Sequence, residues 1–505
     1  MNIKRALISL WDKKGAEELA KSLQKMGVEI VSTGNTARFL KDSGVSVTPV
    51  EEVTGSPEIL DGRVKTLHPK IHGGILAKES EAHQGELDKL DIKRIDLVAV
   101  NLYPFTEVIK SKDTDLDTAL ENIDIGGPTM VRAAAKNYNK CIVLVDTQDY
   151  SLILDKLKTQ GDISKELRKE LAVKAFSHTA QYDGAITEYL SGGKFLSILA
   201  EKKDTLRYGE NPHQQADVFV NSSDTSASLL NATKISGKQL SYNNYNDADA
   251  ALNAVMEFGS KKPAVVAVKH ATPCGIAQGE NLKSAFINAR KCDEKSIFGG
   301  IVAVNTEVDE STAKEMNKIF LEIIIAPSFT KEALEVLQKK KNLRLLKVDF
   351  SKGEASCELK SINGGLLRQS KNQSRFLTKD ITVACGELPK DKMDEVMFAY
   401  KSVKHVKSNA IAVTKGTSTV GLGCGATKRI DAACKALEQA KENGGGEILA
   451  SDAFFPFEDV VNIAADYKIK YILQPGGSKN DDLSIEACRK HGITLIMTGM
   501  RHFKH

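Results

Sequence analysis

The sequence predicts an α/β protein, with a doubly wound parallel sheet in its first part and a second α/β series after it. Short apolar, β-rich runs alternate with amphipathic helical patterns along most of the chain. A length of 505 residues exceeds the roughly 100–200 expected of one domain. The alternation breaks clearly once, between residues 190 and 215. There Ser191-Gly192-Gly193-Lys194 ends a helical pattern, and Arg207-Tyr208-Gly209-Glu210-Asn211-Pro212-His213 is polar and turn-prone.

Taken in order, Ala6–Leu10 is apolar and reads as the first strand, followed by a helical pattern over Gly15–Met26. Val28–Val31 is a short strand that passes through Ser32–Thr36 into a helix over Ala37–Asp42. Leu97–Asn101 and Ile142–Val145 read as buried strands. A boundary near 195 gives a first domain over 1–195 and a second region over 196–505. The second series comprises Ala264–Val268, Gly300–Val304, Ile323–Ile325, Ile411–Thr414, Thr419–Leu422, Ile448–Ala450 and Tyr471–Gln474. The charge-rich stretch 331–375 is taken to separate approximate subdomains 196–375 and 376–505. No repeat stands out at solenoid periods.

With 41% hydrophobic and 27% charged residues, the chain has a globular composition. A net charge of +4 argues against wholesale nucleic-acid binding while allowing a local basic pocket. No apolar run approaches the roughly 18–20 residues of a membrane helix. The N-terminus reads as a strand rather than a secretion signal. Eight scattered cysteines without a CxxC pair fit a reduced cytoplasmic protein with neither a disulfide framework nor a zinc cluster.

Three segments of the first half carry candidate chemistry. Ser32-Thr33-Gly34-Asn35-Thr36 joins a strand to a helix N-terminus, the arrangement of a phosphate cradle; an ordinary capped turn reads the same way. Asp61-Gly62-Arg63-Val64-Lys65-Thr66-Leu67-His68-Pro69-Lys70-Ile71-His72-Gly73-Gly74 concentrates cations and glycines in what reads as an anion-recognition loop, the alternative being a solvated basic loop. Asn122-Ile123-Asp124-Ile125-Gly126-Gly127-Pro128-Thr129 opens a helix. It is flanked by Asp124 and Lys136, an acid and an amine that could move protons or simply form a surface pair.

In the second half, Val268-Lys269-His270-Ala271-Thr272-Pro273-Cys274-Gly275 puts Lys269 and His270 at the C-terminal end of an apolar strand, where open α/β sheets bind ligands. His270 suits a base near neutral pH, and Lys269 suits a developing oxyanion. The zinc-deaminase reading fails, because H-x-E and the second cysteine of C-x-x-C are missing. Gly421-Leu422-Gly423-Cys424-Gly425 is only a fragment of a dinucleotide fingerprint. The aromatic loop Ser451–Asp459 reads as core or as a wall for a flat heterocycle. The tail Thr498–His505 is too basic and aromatic to read as idle padding, a frayed end being the default for a terminus.

Together these segments resemble the bifunctional AICAR transformylase/IMP cyclohydrolase family of purine biosynthesis. DGRVKTLHPKIHGG, NLYPF, NIDIGGPT, AAAKN, RYGENPHQ, KHATPCG, SNAIAV, SDAFFPF and MRHFKH occur in one order across essentially the whole chain. One stretch departs. Where the family has Gly-x-Gly-Gln-x-Ser-Arg, this chain reads Gly423-Cys424-Gly425-Ala426-Thr427-Lys428-Arg429, which leaves open the ligand or subunit contacts made there.

The resemblance implies a methylglyoxal-synthase-like first domain that closes formyl-AICAR to IMP with loss of water. It also implies a transformylase half built of two cytidine-deaminase-like αβα units without zinc. That half would transfer a formyl group from 10-formyltetrahydrofolate, a cosubstrate, to the amine of AICAR. No tightly bound cofactor or metal is implied, and the partner is a second copy in a homodimer with shared transformylase sites. The motifs imply His270 as base, Lys269 as oxyanion stabiliser or acid, and Asn409 as a holder of the reacting groups. Arg207, Tyr208, Arg501, Phe454 and Asp459 match nucleotide or folate positions. For cyclisation, Lys65, Thr66, Tyr103, Asp124 and Lys136 match the family's residues. Ser9, Lys13, Ser32, Gly34, Thr36 and Arg63 would hold the phosphate. A nucleotide-sensing or RNA-binding regulator is the alternative of another class, opposed by two sets of proton-transfer groups that a sensor does not need. A lyase acting through the first domain alone leaves roughly 300 residues unexplained.

Overall fold

The computed structural model describes residues 3–60, 62–111, 113–221, 224–353, 356–373 and 381–505. The chain divides into two compact units, Met1–Leu199 and Ala200–His505. Asp61 of the basic motif and the expected subdomain border at 375/376 lie outside the described residues.

In the first unit, β1 (Arg5–Leu10), β2 (Glu29–Ser32), β3 (Val47–Pro49), β4 (Leu97–Asn101) and β5 (Ile142–Leu144) pair in parallel in the order β3-β2-β1-β4-β5. Apolar β1 and β4 are buried almost throughout, as central strands covered on both faces must be. Strand order reverses between β1 and β4, so their C-terminal ends open a crevice at a topological switch point. The basic motif is only half loop. Its second part is the helix Pro69–Leu76, which His68 caps by accepting from the Lys70 N–H at 3.1 Å.

The second unit begins with a hairpin of β6 (Glu201–Leu206) and β7 (Ala216–Val220). Its main sheet is mixed rather than parallel. β8 (Thr233–Ser236), β9 (Ala264–Lys269), β10 (Thr272–Gln278), β11 (Gly300–Val304), β12 (Leu321–Ala326) and β13 (Arg344–Lys347) form one half. A separate exposed hairpin, β14 (Cys357–Ile362) and β15 (Gly365–Ser370), follows. β16 (Thr382–Cys385), β17 (Ile411–Lys415), β18 (Ser418–Gly423), β19 (Ile448–Ser451), β20 (Tyr471–Gln474) and β21 (Thr494–Met497) form the other half.

The two halves are copies of one topology. The order β8-β13-β12-β11-β9-β10 repeats as β16-β21-β20-β19-β17-β18 with the same parallel and antiparallel pairings, and the copies meet at β10 and β18. β10, Thr272–Gln278, is not among the strands expected from the sequence and is an interior strand of this sheet. The Gly421-x-Gly423 pair has a packing role. A Cβ on either glycine would lie 1.9 Å from a carbonyl oxygen, of Ala436 or Ala432, in the helix Arg429–Glu442. Gly275 does the same for the helix Leu282–Cys292 in the first copy, at 2.0 Å from the Ala289 oxygen.

The basic, aromatic C-terminal tail is docked rather than frayed. The His502 N–H donates to the Asp452 carbonyl at 2.8 Å, and Lys504 and Ser408 exchange two bonds at 2.9 and 3.0 Å. His502 is 1% exposed, so its side chain anchors a largely exposed tail in the interior. Gly423→Ala is expected to lower stability by roughly 3 kcal/mol, because the added carbon meets rigid backbone; urea unfolding of the full chain measures it, and a loss under about 1 kcal/mol would mean the helix can shift away.

Candidate active sites

In the first unit, candidate groups gather at the ends of β1, β2 and β4. Ser9 Oγ lies 2.9 Å from Thr33 Oγ1. Ser32 Oγ donates to the Ile8 carbonyl at 2.6 Å, and Thr36 Oγ1 bonds the main chain of Leu10 in both directions at 2.9 and 3.0 Å. The Ser32 and Thr36 hydroxyls are thus buried stitches between β1 and the β2 turn, not free ligand groups. The turn's capacity for an anion rests on main-chain N–H groups at the start of the helix Gly34–Asp42. Lys13 Nζ donates to the Trp11 carbonyl at 3.1 Å. Asn101, at the end of β4, fixes that loop by accepting from the Trp11 N–H at 2.6 Å and donating to the Asp12 carbonyl at 2.7 Å.

Lys65 comes to the same place. A Cβ on Gly34 would stand 3.6 Å from Lys65 Nζ, which places the ammonium beside the helix start; the φ of +38° at Gly34 is what calls for glycine there. Glu58, not singled out in the sequence, pairs with Lys65 at 3.1 Å. Arg63 pairs with Glu121, both exposed. Thr66 is buried, with its hydroxyl 2.8 Å from where a Cβ of Gly126 would be.

Asp124 Oδ1 accepts from the Gly127 N–H at 2.8 Å. The Asp124 N–H donates at 2.7 Å to the hydroxyl of Tyr182, which donates on to the Asn122 carbonyl at 3.1 Å. Burial raises the Asp124 carboxyl above its ordinary value, against the pull of the Gly127 and Tyr103 backbone bonds and the Lys65 charge. Asp124, Lys65, Thr66 and the Tyr103 backbone therefore form one cluster. Lys136 does not join it. It is exposed at the last turn of the helix Gly126–Lys136, about 15 Å along the axis from Gly126. Tyr182 lies on the helix Lys165–Leu190, and nothing in the sequence hinted at a role beside Asp124.

In the second unit, Lys269 and His270 sit on the lip of a cavity of about 1230 Å³. Thr272, Asn288, Thr419 and Gln439 are among the groups that line it. Lys269 Nζ donates to the Phe298 and Gly299 carbonyls at 3.2 and 3.0 Å. An ammonium has three protons, so one is left for the cavity. His270 is exposed, at the turn between β9 and β10.

The remaining candidates lie elsewhere in this unit. Asn409 Nδ2 donates to the Ala426 and Thr427 carbonyls at 2.9 and 3.1 Å, and its Oδ1 accepts from Arg429 at 2.6 Å. Arg429 also pairs with buried Asp452. Arg207 stacks 4.6 Å over the Tyr208 ring and bonds its hydroxyl at 2.9 Å. Arg501 stacks 4.6 Å over Phe503, and Asp459 begins the helix Asp459–Asp466 beside the exposed Phe454. None of Asn409, Arg207, Tyr208, Phe454, Asp459 and Arg501 lines the Lys269–His270 cavity.

Among the described residues no group of three or more His, Cys, Asp or Glu side chains is arranged to hold a metal, and no helix is long and apolar enough to cross a membrane.

Comparison with known proteins covers the whole chain. Residues 15–129 match the MGS-like domain and residues 134–439 the AICARFT/IMPCHase bienzyme. The bifunctional purine biosynthesis protein PurH of Acetivibrio thermocellus is 50% identical over 516 residues, covering 100% of both chains. The protein of that name from Halalkalibacterium halodurans is 50% identical over 511 residues, covering 99% of this chain and 100% of its own. A solved chain titled "Crystal structure of ForH" is 36% identical, covers 38% of this chain and 98% of its own, and superposes with a TM-score of 0.36.

Two outcomes follow from these contacts. Lys428 caps the helix Arg429–Glu442 without a side-chain bond, so Lys428→Ser is expected to add about 1 kcal/mol in a urea melt. Asp124 has a raised value in the fold, so its ionisation opposes folding as pH rises above the ordinary 3.8. Asp124→Asn is therefore expected to melt higher than wild type at pH 7, with the gap closing toward pH 3.8; a gap that widens on acidification would refute burial as the dominant influence.

Proposed function

We infer a division of labour from one premise: this chain belongs to the AICARFT/IMPCHase bienzyme family, and it is an AICAR formyltransferase and IMP cyclohydrolase of purine biosynthesis. The second unit carries formyl transfer, with 10-formyltetrahydrofolate as donor and no tightly bound cofactor. The Lys269–His270 strand end on the lip of the large cavity is the observation that carries this assignment. The AICAR amine is a weak nucleophile, since its lone pair is delocalised into the ring and carboxamide. As it attacks the formyl carbon, it must lose a proton while oxygen gains charge. His270 takes the proton. The uncommitted N–H of Lys269 meets the oxyanion or protonates the departing folate nitrogen.

Asn409 steadies the 426–429 segment, which lies off the cavity, and holds the reacting groups as the motif implies. Arg207, Tyr208, Arg501, Phe454 and Asp459 hold nucleotide and folate. They lie off the Lys269–His270 cavity, which favours a homodimer in which a second copy completes each transformylase site. The duplicated topology supports two cytidine-deaminase-like units, approximately 196–375 and 376–505, following a cyclohydrolase domain over 1–195. The cytoplasm is the compartment that free cysteines and a folate-dependent reaction suit.

The first unit carries cyclisation. The carboxamide nitrogen attacks the formamide carbon, and an oxygen leaves as water. Asp124, whose carboxyl burial raises above its ordinary value, suits a proton carrier. Lys65 and Thr66 face the developing oxyanion, and Tyr103 is assigned to proton movement by the motif; Lys136, which the motif also assigns to proton movement, stands outside this cluster at the far end of its helix. Ser9, Lys13, Arg63 and the main chain at Gly34 grip the phosphate, with Arg63 exchanging Glu121 for it; Ser32 and Thr36 shape that grip from beneath.

Given AICAR and 10-formyltetrahydrofolate, the purified protein should form IMP. His270→Ala is expected to abolish transfer yet leave cyclisation of supplied formyl-AICAR intact. Lys65→Ala is expected to do the reverse, letting formyl-AICAR accumulate with cyclisation down about 10²–10³-fold. Equal loss of both activities in either folded variant would contradict the division.

A further inference from the structure

The β9–β10 hairpin pairs Lys269 with Thr272, leaving His270 and Ala271 as a two-residue turn. Their φ angles are +54° and +57°. Positive φ at both positions matches strand twist and favours Asn-Gly, because the left-handed region crowds a Cβ. The twin hairpin, β17–β18, closes over Gly416-Thr417 and puts a glycine of φ +57° at the first position. At the corresponding position of the first copy stands His270, so the strained turn that carries the imidazole needs a support that glycine would not.

Asp247 supplies it. Its Oδ1 accepts from the Ala271 N–H at 2.8 Å, and its Oδ2 from the His270 N–H at 3.2 Å. The carboxylate stands on the helix Tyr242–Met256, whose start is fixed by a reciprocal Ser241–Asn244 cap and by a 2.7 Å bond from Asn244 to Glu322. Ala248, Ala251 and Leu252 of that helix pack with Val266 and Val268 of β9 in one core, so the support is rigid.

We propose that Asp247 is the positioning residue of the transformylase site, holding the His270–Ala271 turn by its two main-chain N–H groups and so aiming the imidazole at the cavity. The inference rests on the reading of His270 as base.

Steady-state kinetics of the full-length protein test it. Asp247→Ala is expected to lower kcat for formyl transfer at least about tenfold, since small misplacement of a reacting group is costly. Cyclisation of supplied formyl-AICAR should not change. The pH profile of transfer should also be unmoved, because the carboxylate touches main chain and not the ring. Ala271→Gly added to Asp247→Ala should recover part of the lost kcat, as glycine holds a left-handed turn unaided. Asp247→Asn, with one acceptor in the same shape, should fall between, and it serves if Asp247→Ala does not fold. A kcat within about twofold of wild type in the folded variants, a shifted pH profile, or a double variant no faster than the single overturns the proposal. Transfer surviving in His270→Ala would instead remove the base assignment itself. Transfer lost in His270→Ala but kept in Asp247→Ala removes only the positioning role.

Discussion

The two six-stranded copies of the second unit are joined where Ala277 of β10 pairs with Ser418 of β18. Thr419 completes that junction with its side chain. Its hydroxyl accepts from the Ile276 N–H at 2.9 Å and donates to the Ile276 carbonyl at 3.1 Å, standing in for a missing ladder pair. Buried main-chain groups must be satisfied, so a residue lacking both a donor and an acceptor here would leave two orphans inside a twelve-stranded sheet. The junction also sets the spacing of the helices Leu282–Cys292 and Arg429–Glu442 that wall the cavity. Gln439 and Asn443 of the second copy reach across to the Cys292 carbonyl at 2.7 and 2.9 Å. The cavity thus exists because one topology was used twice and its edges were brought face to face.

A second tie between the copies is charged. Lys404, ending the helix Met393–Lys404, pairs with Glu257, just beyond the helix Tyr242–Met256; both are nearly buried. Such a pair adds little net stability, but loss of one partner strands the other charge in the interior. His405 and His502 lie in the same region, and burial holds both imidazoles down to about 4. The unfolded chain therefore takes up protons first, and this region's contribution to stability is lost as pH falls from 6.5 toward 4.

Much of this was legible in the sequence, and unevenly so. The first unit's strands are continuous apolar runs between helical patterns, so β1, β2, β4 and β5 were placed to within a residue or two. The second unit reads the same way locally. Its mixed pairing and its duplication depend on which strands meet, and local periodicity carries no such information. The strand Thr272–Gln278 escaped the sequence reading because Pro and Gly punctuate its start. In the structure Pro273 lies at a register shift, and Gly275 admits a helix. Of the sites, Lys65, Thr66 and Asp124 announced themselves through dense polar motifs. Glu58, Asn101, Tyr182 and Asp247 did not, because each acts on a partner brought near only by the fold.

The departure at Ala426-Thr427-Lys428 leaves the hydrogen bonds between Asn409 and that segment in place. Asn409 reads that segment through the carbonyls of Ala426 and Thr427 and through Arg429, so two of its three contacts do not depend on side-chain identity and the third keeps the motif's arginine. What the exchange of Ser for Lys428 removes is a hydroxyl at the N-cap, leaving a cation at the positive end of the helix. The consequence falls on the helix end and not on Asn409. The tight contact of Gly421 and Gly423 with the same helix then becomes more important, because main-chain packing must hold what the cap no longer secures.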